Sequence, residues 1–279
     1  MSQLIFSYGF GRTGTTWIFN AIREILNDTG LPWQSCFAKR ATLKKALATI
    51  DEQKYFVVKT HVLNHVQVAR SSLQKYDLKA KVIFPIRDPR DTICSRLRVR
   101  AKEGDLKGKL ENMPANRLTQ LLRRESRKYN ELFNYLENNE QLLIIREPDI
   151  KAAPIKLLSE ISTYILGYTI NHNAIQRIAT ELSSDNVLKT IETKNKELGR
   201  DEVFKQIDED TQFHANHIRK EDYDHQWLPE QQEIAESIVK KQELIINKNL
   251  TRQQAEDKAF QLTTEEMTAS IQSLRKGLR

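Results

Sequence analysis

Cysteine is nearly absent from this chain: Cys36 and Cys94 are the only two among 279 residues. Two thiols so far apart in sequence form neither a disulfide framework nor a cysteine metal site, and both are read as reduced. Glycine is scarce too, nine in all, where average usage would give about 7%. There is no internal repeat and no low-complexity tract. No apolar run approaches the roughly 20 residues needed to cross a bilayer, which argues against an integral membrane protein. The opening MSQLIFSYGFGRTG has no basic segment before a long apolar run and no small-residue cleavage site, so it does not read as a signal peptide. A soluble, cytoplasmic protein is expected. An excess of one charge is also missing: Lys+Arg 44 against Asp+Glu 37 leaves +7. The signs are mixed, whereas a nucleic-acid binder concentrates its cations on one face. The densest basic stretches, RLRVRAK at 96–102 and RRESRK at 123–128, read as solvated helix faces. A small polyanionic ligand is therefore the more economical partner.

The glycines that are present cluster. Gly9, Gly11 and Gly14 fall within six residues, after the apolar and aromatic run LIFSY at 4–8, a strand pattern. Behind them, TTWIFNAIREIL places Trp17, Ile18, Ala21, Ile22, Ile25 and Leu26 at helical spacing. Strand, glycine loop, helix is how α/β proteins build an anion site. Further strands are predicted at 55–59, 81–86 and 142–146, near-continuous apolar runs of the buried parallel type. Helical patterns at 39–50, 64–76, 89–102 and 116–138 alternate with them. The expected fold class is α/β, a P-loop-like central parallel sheet flanked by helices. From about residue 150 the chain is mostly helical in pattern, at 153–166, 172–183, 184–196 and 229–247, with the charged stretch 201–210 read as a mobile loop. A single domain over 1–250 is expected, followed by a polar helical extension over 251–279 whose thin apolar stripe suits packing on the domain or on a second copy.

Three segments carry candidate chemistry. GFGRTGTT at 9–16 has the spacing of a phosphate loop, G-x-x-x-x-G-K-[ST], with Thr15 in the lysine position. Glycines still let backbone N–H groups converge on phosphate oxygens, and the helix dipole adds to them. The lysine that reaches a γ-phosphate is lost, so a donor without a γ-phosphate fits better than ATP. Arg12 is a candidate cation, and Thr13, Thr15 and Thr16 are candidate hydroxyl donors; a glycine turn without a ligand is the alternative. FVVKTHVL at 56–63 leaves Lys59 and His61 at a strand end, facing the crevice where open α/β sheets bind ligands. A histidine there suits proton removal at neutral pH, although alone it is more often a structural hydrogen-bonder. In IRDPRDTICSRLR at 86–98, Asp88 is placed to cap a helix that begins at Pro89. Arg87 then closes a strand and Ser95 lies two turns into the helix. The pair is placed to grip a second phosphate; alternatively, Arg87 is paired with Asp91.

In this order and spacing, GRTGTTW, VVKTH and IFPIRDPRDTICSRL resemble the motifs of sulfotransferases that use 3′-phosphoadenosine 5′-phosphosulfate (PAPS). The resemblance implies that Arg12, Thr13, Gly14, Thr15, Thr16 and Trp17 hold the donor, with Arg12 in place of the usual lysine and Trp17 stacked on adenine. It makes His61 the base on the acceptor, with Lys59 and Arg12 as electrostatic partners, and makes Arg87 and Ser95 the ligands of the 3′-phosphate. In LLIIREPDIKAAPIKLLSEI at 142–161, Arg146 stands where a tyrosine often contacts adenine. In NHIRKEDYDHQW at 216–227, Arg219 and Lys220 match a late R-K-G element over the 3′-phosphate, and Glu221 replaces its glycine. The resemblance spans roughly residues 3–245.

The implied function is sulfuryl transfer from PAPS to a hydroxyl or amine of a small-molecule acceptor, releasing 3′-phosphoadenosine 5′-phosphate (PAP), with no metal, nucleic acid or membrane involved. Similar compact enzymes tailor bacterial natural products, including guanidinium compounds of the saxitoxin type. Residues 30–50, 98–118 and 200–227 are expected to wall the acceptor pocket. There Glu103, Asp105, Asp208 and Asp210 would suit a cationic acceptor or simply face solvent. The H-x-x-H pair His214 and His217 lacks further metal ligands at usual spacing. The C-terminal helix would either pack back on the domain or join two copies as a homodimer, and the sequence does not choose between them. Two rivals stand beside this reading. A kinase or ATPase with a degenerate loop is disfavoured by Thr15 and by the lack of a convincing acidic residue at a strand end for Mg²⁺. A basic polyanion-binding module would show steep salt dependence without binding PAPS.

Overall fold

Alternate residues of the first strand enter two different cores. Leu4, Phe6 and Tyr8 belong to one buried cluster and Ile5 to another, the period of two that a strand covered on both faces requires. The computed structural model describes residues 3–38, 55–74, 79–102, 113–137, 142–197, 211, 213 and 226–249. Its strands are β1 (Gln3–Tyr8), β2 (Trp33–Phe37), β3 (Tyr55–Thr60), β4 (Lys79–Ile86) and β5 (Leu143–Arg146), all parallel, in the order β2-β3-β1-β4-β5. The α/β expectation holds, with a central five-stranded parallel sheet flanked by helices.

Helices α1 (Thr15–Thr29), α2 (Leu63–Gln74), α3 (Pro89–Lys102), α4 (Ala115–Glu137), α5 (Asp149–Ala152), α6 (Pro154–Leu166), α7 (His172–Glu181) and α8 (Ser184–Glu197) follow in chain order, then α9 over 229–249. On one face, Ile18, Ile22 and Ile25 of α1 pack with Leu158 and Ile161 of α6, Ile178 of α7 and the strand residues Ile5, Val57 and Ile83. On the other, Val66 of α2, Tyr129 and Leu132 of α4 and Ile238 and Ile245 of α9 cover Phe6, Val58 and Phe84. Each large apolar side chain buried in this way contributes about 1.5–3 kcal/mol relative to exposure. Helix α3 joins α4 and α9 through Ile93, Leu97, Leu118, Leu122 and Ala235.

Two elements differ from the sequence reading. Strand β2 was not anticipated: WQSCF is an edge strand with no fully buried residue, so its pattern shows no apolar run. The helix expected over 153–166 is preceded by a separate turn, α5, and the two break at Ala153 (φ −144°). Pro154 bars the preceding residue from helical geometry while serving as a good first helical residue. The helix expected over 39–50, the loop 201–210 and the extension 251–279 lie outside the described residues.

Register brings the strand ends level. Ser7 lies opposite Lys59 and Ile83, Phe37 opposite Lys59, and Ile86 opposite Arg146. The segments that leave these strands therefore emerge along one edge of the sheet.

Candidate active site

At Gly9 and Gly14 the turn is shaped by contacts that leave no room for a side chain. A Cβ on Gly14 would lie 2.6 Å from Ile150 Cδ1, and its φ of +99° is one that L-residues rarely adopt. A Cβ on Gly9 would come within 2.8 Å of Thr15 Cγ2 and 3.0 Å of Pro85. Replacing Gly14 with alanine is therefore expected to lower unfolding free energy by about 1–3 kcal/mol. Urea denaturation checks this, and an unchanged midpoint would remove the steric account of the loop. Arg12 is the one non-glycine residue with positive φ, 77°, among those described. Its strained backbone is pinned by Arg87, whose Nη1 donates to the Arg12 carbonyl at 3.2 Å. Ser7 Oγ ties β1 to the start of α1 by donating to the Thr15 carbonyl at 2.9 Å.

A cavity of about 540 Å³ opens above this edge. Arg12, Gly14, Thr15, Thr16, Trp17, Lys59, His61, Arg87 and Ser95 all line it, so residues spread over more than eighty positions of sequence meet in one place. Thr13 does not. It is fully buried and its hydroxyl donates to the Phe10 carbonyl at 2.6 Å, so it shapes the loop rather than offering a hydroxyl to a ligand. Thr16 Oγ1 accepts from Lys59 Nζ at 2.7 Å, and Ser95 Oγ accepts from Arg12 Nε at 3.1 Å. Helix α3 starts as the sequence predicts, with Asp88 Oδ1 accepting from the Arg90 backbone N–H at 2.8 Å. Arg87 sits at that junction, 3.4 Å from Glu147 Oε1 and 4.0 Å from Asp91 Oδ2. Its Nε is buried without a hydrogen-bond partner. A buried guanidinium N–H left unsatisfied costs free energy that an anion in the cavity would recover.

Electrostatics point the same way. Burial, with Arg98, Arg87 and Arg96 nearby, lowers the Arg12 guanidinium to about 10. Burial and then Arg12 lower the Lys59 ammonium to about 7. Crowded cations with depressed pKa values are the signature of a site that expects anionic charge. One sign follows for pH. Lys59 is charged below about pH 7 and neutral above it, and an anionic ligand favours the charged form. Binding of PAP is therefore expected to take up protons and to weaken as pH rises through neutrality. Calorimetry at several pH values checks this, and Lys59→Met should flatten the profile. A parent profile that strengthens with pH would contradict it.

His61 stands at the end of β3 with part of its ring open to the cavity. Its Nδ1 lies 2.7 Å from the Gly9 carbonyl. A carbonyl only accepts, so Nδ1 carries the proton and Nε2 is left as a base. Desolvation by the surrounding protein lowers its pKa, an effect limited because the residue is exposed; the Gly9 bond opposes it, and the cations of Lys59, Lys128 and Arg96 reinforce it. The imidazole is neutral at pH 7.

Several lining residues escaped the sequence reading. Arg98 belongs to the run read as a solvated face, yet it lines the cavity. Arg96 of the same run pairs at 2.8 Å with Glu125, which is 1% exposed. The signal was available in retrospect: Arg98 follows Ser95 at i+3, on the same helix face. Lys151 and Glu147 also reach the cavity from the β5 end, and the apolar part of the wall is Trp17, Ile150, Leu182, Val187 and Phe213. Arg146, in the position of the expected tyrosine, is held by a bidentate pair to Glu243 at 2.8 and 2.9 Å. Among the described residues, Trp17 and Phe213 are the aromatic carbocycles of the cavity wall. Arg219, Lys220, His214, His217 and the four loop acids lie outside the described residues. Among the described residues, no three metal-ligating side chains cluster and no helix is long and apolar enough to cross a membrane.

Comparison with known proteins adds the family. The solved structure of retinol dehydratase in a complex with retinol and PAP is similar at a TM-score of 0.42 and 15% identity, covering 89% of this chain and 81% of that one. No curated protein matches the chain. The family model described as a sulfotransferase domain matches residues 3–254, nearly the whole chain and every described segment of the cavity. The chain therefore belongs to the sulfotransferase family.

Proposed function

We propose that this sulfotransferase moves the sulfuryl group of PAPS to a hydroxyl or amine of a small-molecule acceptor, and that the cavity at the sheet edge is where it does so. One observation supports this above the others: a neutral histidine whose Nδ1–H is committed to a carbonyl shares a cavity with Arg12, Lys59 and Arg87. In this reading Arg87 and Ser95 take the 3′-phosphate, with Arg219 and Lys220 closing over it. Gly14, Thr15, Thr16 and the first N–H groups of α1 take the 5′ end, held by the positive end of the helix. Trp17 and Phe213 flank the purine. When bound, PAPS supplies an activated sulfuryl group with a phosphate leaving group. His61 Nε2 takes the acceptor proton, while Arg12 and Lys59 hold the negative charge that develops on the leaving side. No proton has to reach the leaving phosphate, which is a stable anion at neutral pH. Neutralisation of the neighbouring Lys59 cation by a bound anion would remove one of the charges that lower the His61 pKa and make it a stronger base when the donor is present.

The domain proposal is that 1–250 forms the catalytic unit and 251–279 an extension. For the acceptor, no described residue favours a saxitoxin-type guanidinium compound: the cavity wall carries five cations, Arg12, Lys59, Arg87, Arg98 and Lys151, against Glu147. A screen of hydroxyl and amine acceptors with PAPS, without magnesium, tests the reaction. Acceptor-dependent release of PAP, lost in His61→Ala, is expected. Intact PAPS across the screen, together with magnesium-dependent turnover of ATP, would contradict it.

A further inference from the structure

Arg87 reaches the cavity from a peptide that is held in place by two helices outside it. Gln242 of α9, 155 residues away, donates from Nε2 to the Arg87 carbonyl at 2.9 Å, and the bond is buried. The Tyr129 hydroxyl of α4 is hydrogen-bonded to the Gln242 side chain and to the Arg87 backbone. Both residues are buried, at 5% and 2% exposure, in a layer otherwise made of Phe6, Phe84, Ile86, Leu132 and Ile238. A buried amide is costly unless it is paired, and an apolar side chain would fill this layer without that cost. The pairing also fixes more than packing. The Tyr129 ring meets Phe10 edge-on, with centroids 4.8 Å apart, so one side chain touches both the glycine loop and the peptide of Arg87. The C-terminal part of α9 is fastened to the two ends of β5, by Glu243 on Arg146 and by Asn249, which pairs with the backbone of Leu142 through bonds of 3.0 and 2.7 Å.

We propose that Gln242, with Tyr129, is a positioning residue for the donor: the two fix the peptide of Arg87 so that its guanidinium meets the 3′-phosphate in a single orientation. This rests on the reading of the cavity as the PAPS site. The consequence is selective. Only nucleotides that carry a 3′-phosphate meet the Arg87 guanidinium directly, whereas 5′-AMP feels Arg87 only through its bond to the Arg12 carbonyl, so loss of the brace should affect PAP more than 5′-AMP.

The test compares the two nucleotides by calorimetry in the parent, in Gln242→Met, which keeps the volume and removes the donor, and in Tyr129→Phe, which removes one oxygen atom. The parent is expected to bind PAP far more tightly than 5′-AMP. In Gln242→Met that preference is expected to shrink about tenfold, the effect of one hydrogen bond, with the smaller loss on 5′-AMP. Tyr129→Phe is expected to shrink it several-fold, and this variant carries the test if Gln242→Met does not fold. In an Arg87→Ala background, neither change should alter PAP affinity further. An unchanged preference in the variants, or equal losses for both nucleotides, overturns the positioning role. A parent without preference for PAP overturns the donor-site reading itself, a result distinguishable because it appears before any substitution is made.

Discussion

Replacing His61 with alanine is expected to lower turnover by about 10²- to 10⁴-fold, the usual worth of a positioned general base, while PAP affinity stays close to that of the parent. The ring is neutral at pH 7, its Nδ1–H is spent on the Gly9 carbonyl and its Nε2 is unprotonated and free to accept a proton. The same Gly9 bond also supports a competing account, because His61 ties the start of the glycine loop to the end of β3 and its loss would loosen the loop. His61→Asn separates the two. An asparagine amide can donate to the Gly9 carbonyl but has no basic nitrogen. If the imidazole is the base, both variants lose turnover alike and both keep PAP affinity. Recovery of turnover in His61→Asn, measured as initial rates at saturating PAPS, would assign the histidine to the loop instead.

Removal of the Arg87 guanidinium is the second large effect. Arg87→Ala is expected to weaken PAP binding by roughly 1.5–3 kcal/mol, the range for a hydrogen bond to a charged group, or about 10- to 150-fold in Kd. Arg87→Lys should recover only part of this, since an ammonium lacks the planar fork that matches a phosphate. Arg87 is 8% exposed and has a buried Nε without a hydrogen-bond partner, which is why the change reaches beyond a surface ion pair. It also holds the Arg12 carbonyl, so part of the loss travels through the strained turn and should appear as lower turnover as well. Glu147 lies against the same guanidinium at 3.4 Å, so a bound phosphate competes with it for Arg87. Parent-like PAP binding in Arg87→Ala, measured by calorimetry, would place the 3′-phosphate elsewhere.

How much of this was legible before folding depends on where each residue sits. Strands β1, β3 and β4 were readable because both faces are buried and their sequences are nearly all apolar. Strand β2 was not, because at the sheet edge it carries a mixed sequence that resembles a loop. Arg12, Lys59, His61, Arg87 and Ser95 could be gathered in advance because parallel strands deliver their C-terminal ends to one edge, so residues just past strand ends converge. Arg98 could not, because a charge-rich helix gives no hint of which arginine faces inward. Phe213 and Gln242 come from segments that follow the sheet: Phe213 packs on the core cluster that includes α1, where Asn20 donates to the Thr211 carbonyl, and α9 covers the other face and brings Gln242 to the Arg87 carbonyl. Thr13 shows the opposite limit: its position in the motif suggests a ligand, while its hydroxyl is consumed by the Phe10 carbonyl.

The most direct measurement is calorimetric titration of the full chain with PAP, with ATP as control and no magnesium present. The loop lacks the γ-phosphate lysine and the wall supplies Arg12, Lys59 and Arg87 for the two phosphates of PAP, so binding in the micromolar range, near −8 kcal/mol, is expected for PAP and weak binding for ATP. Absence of PAP binding, or a preference for ATP that appears when magnesium is added, would contradict the account.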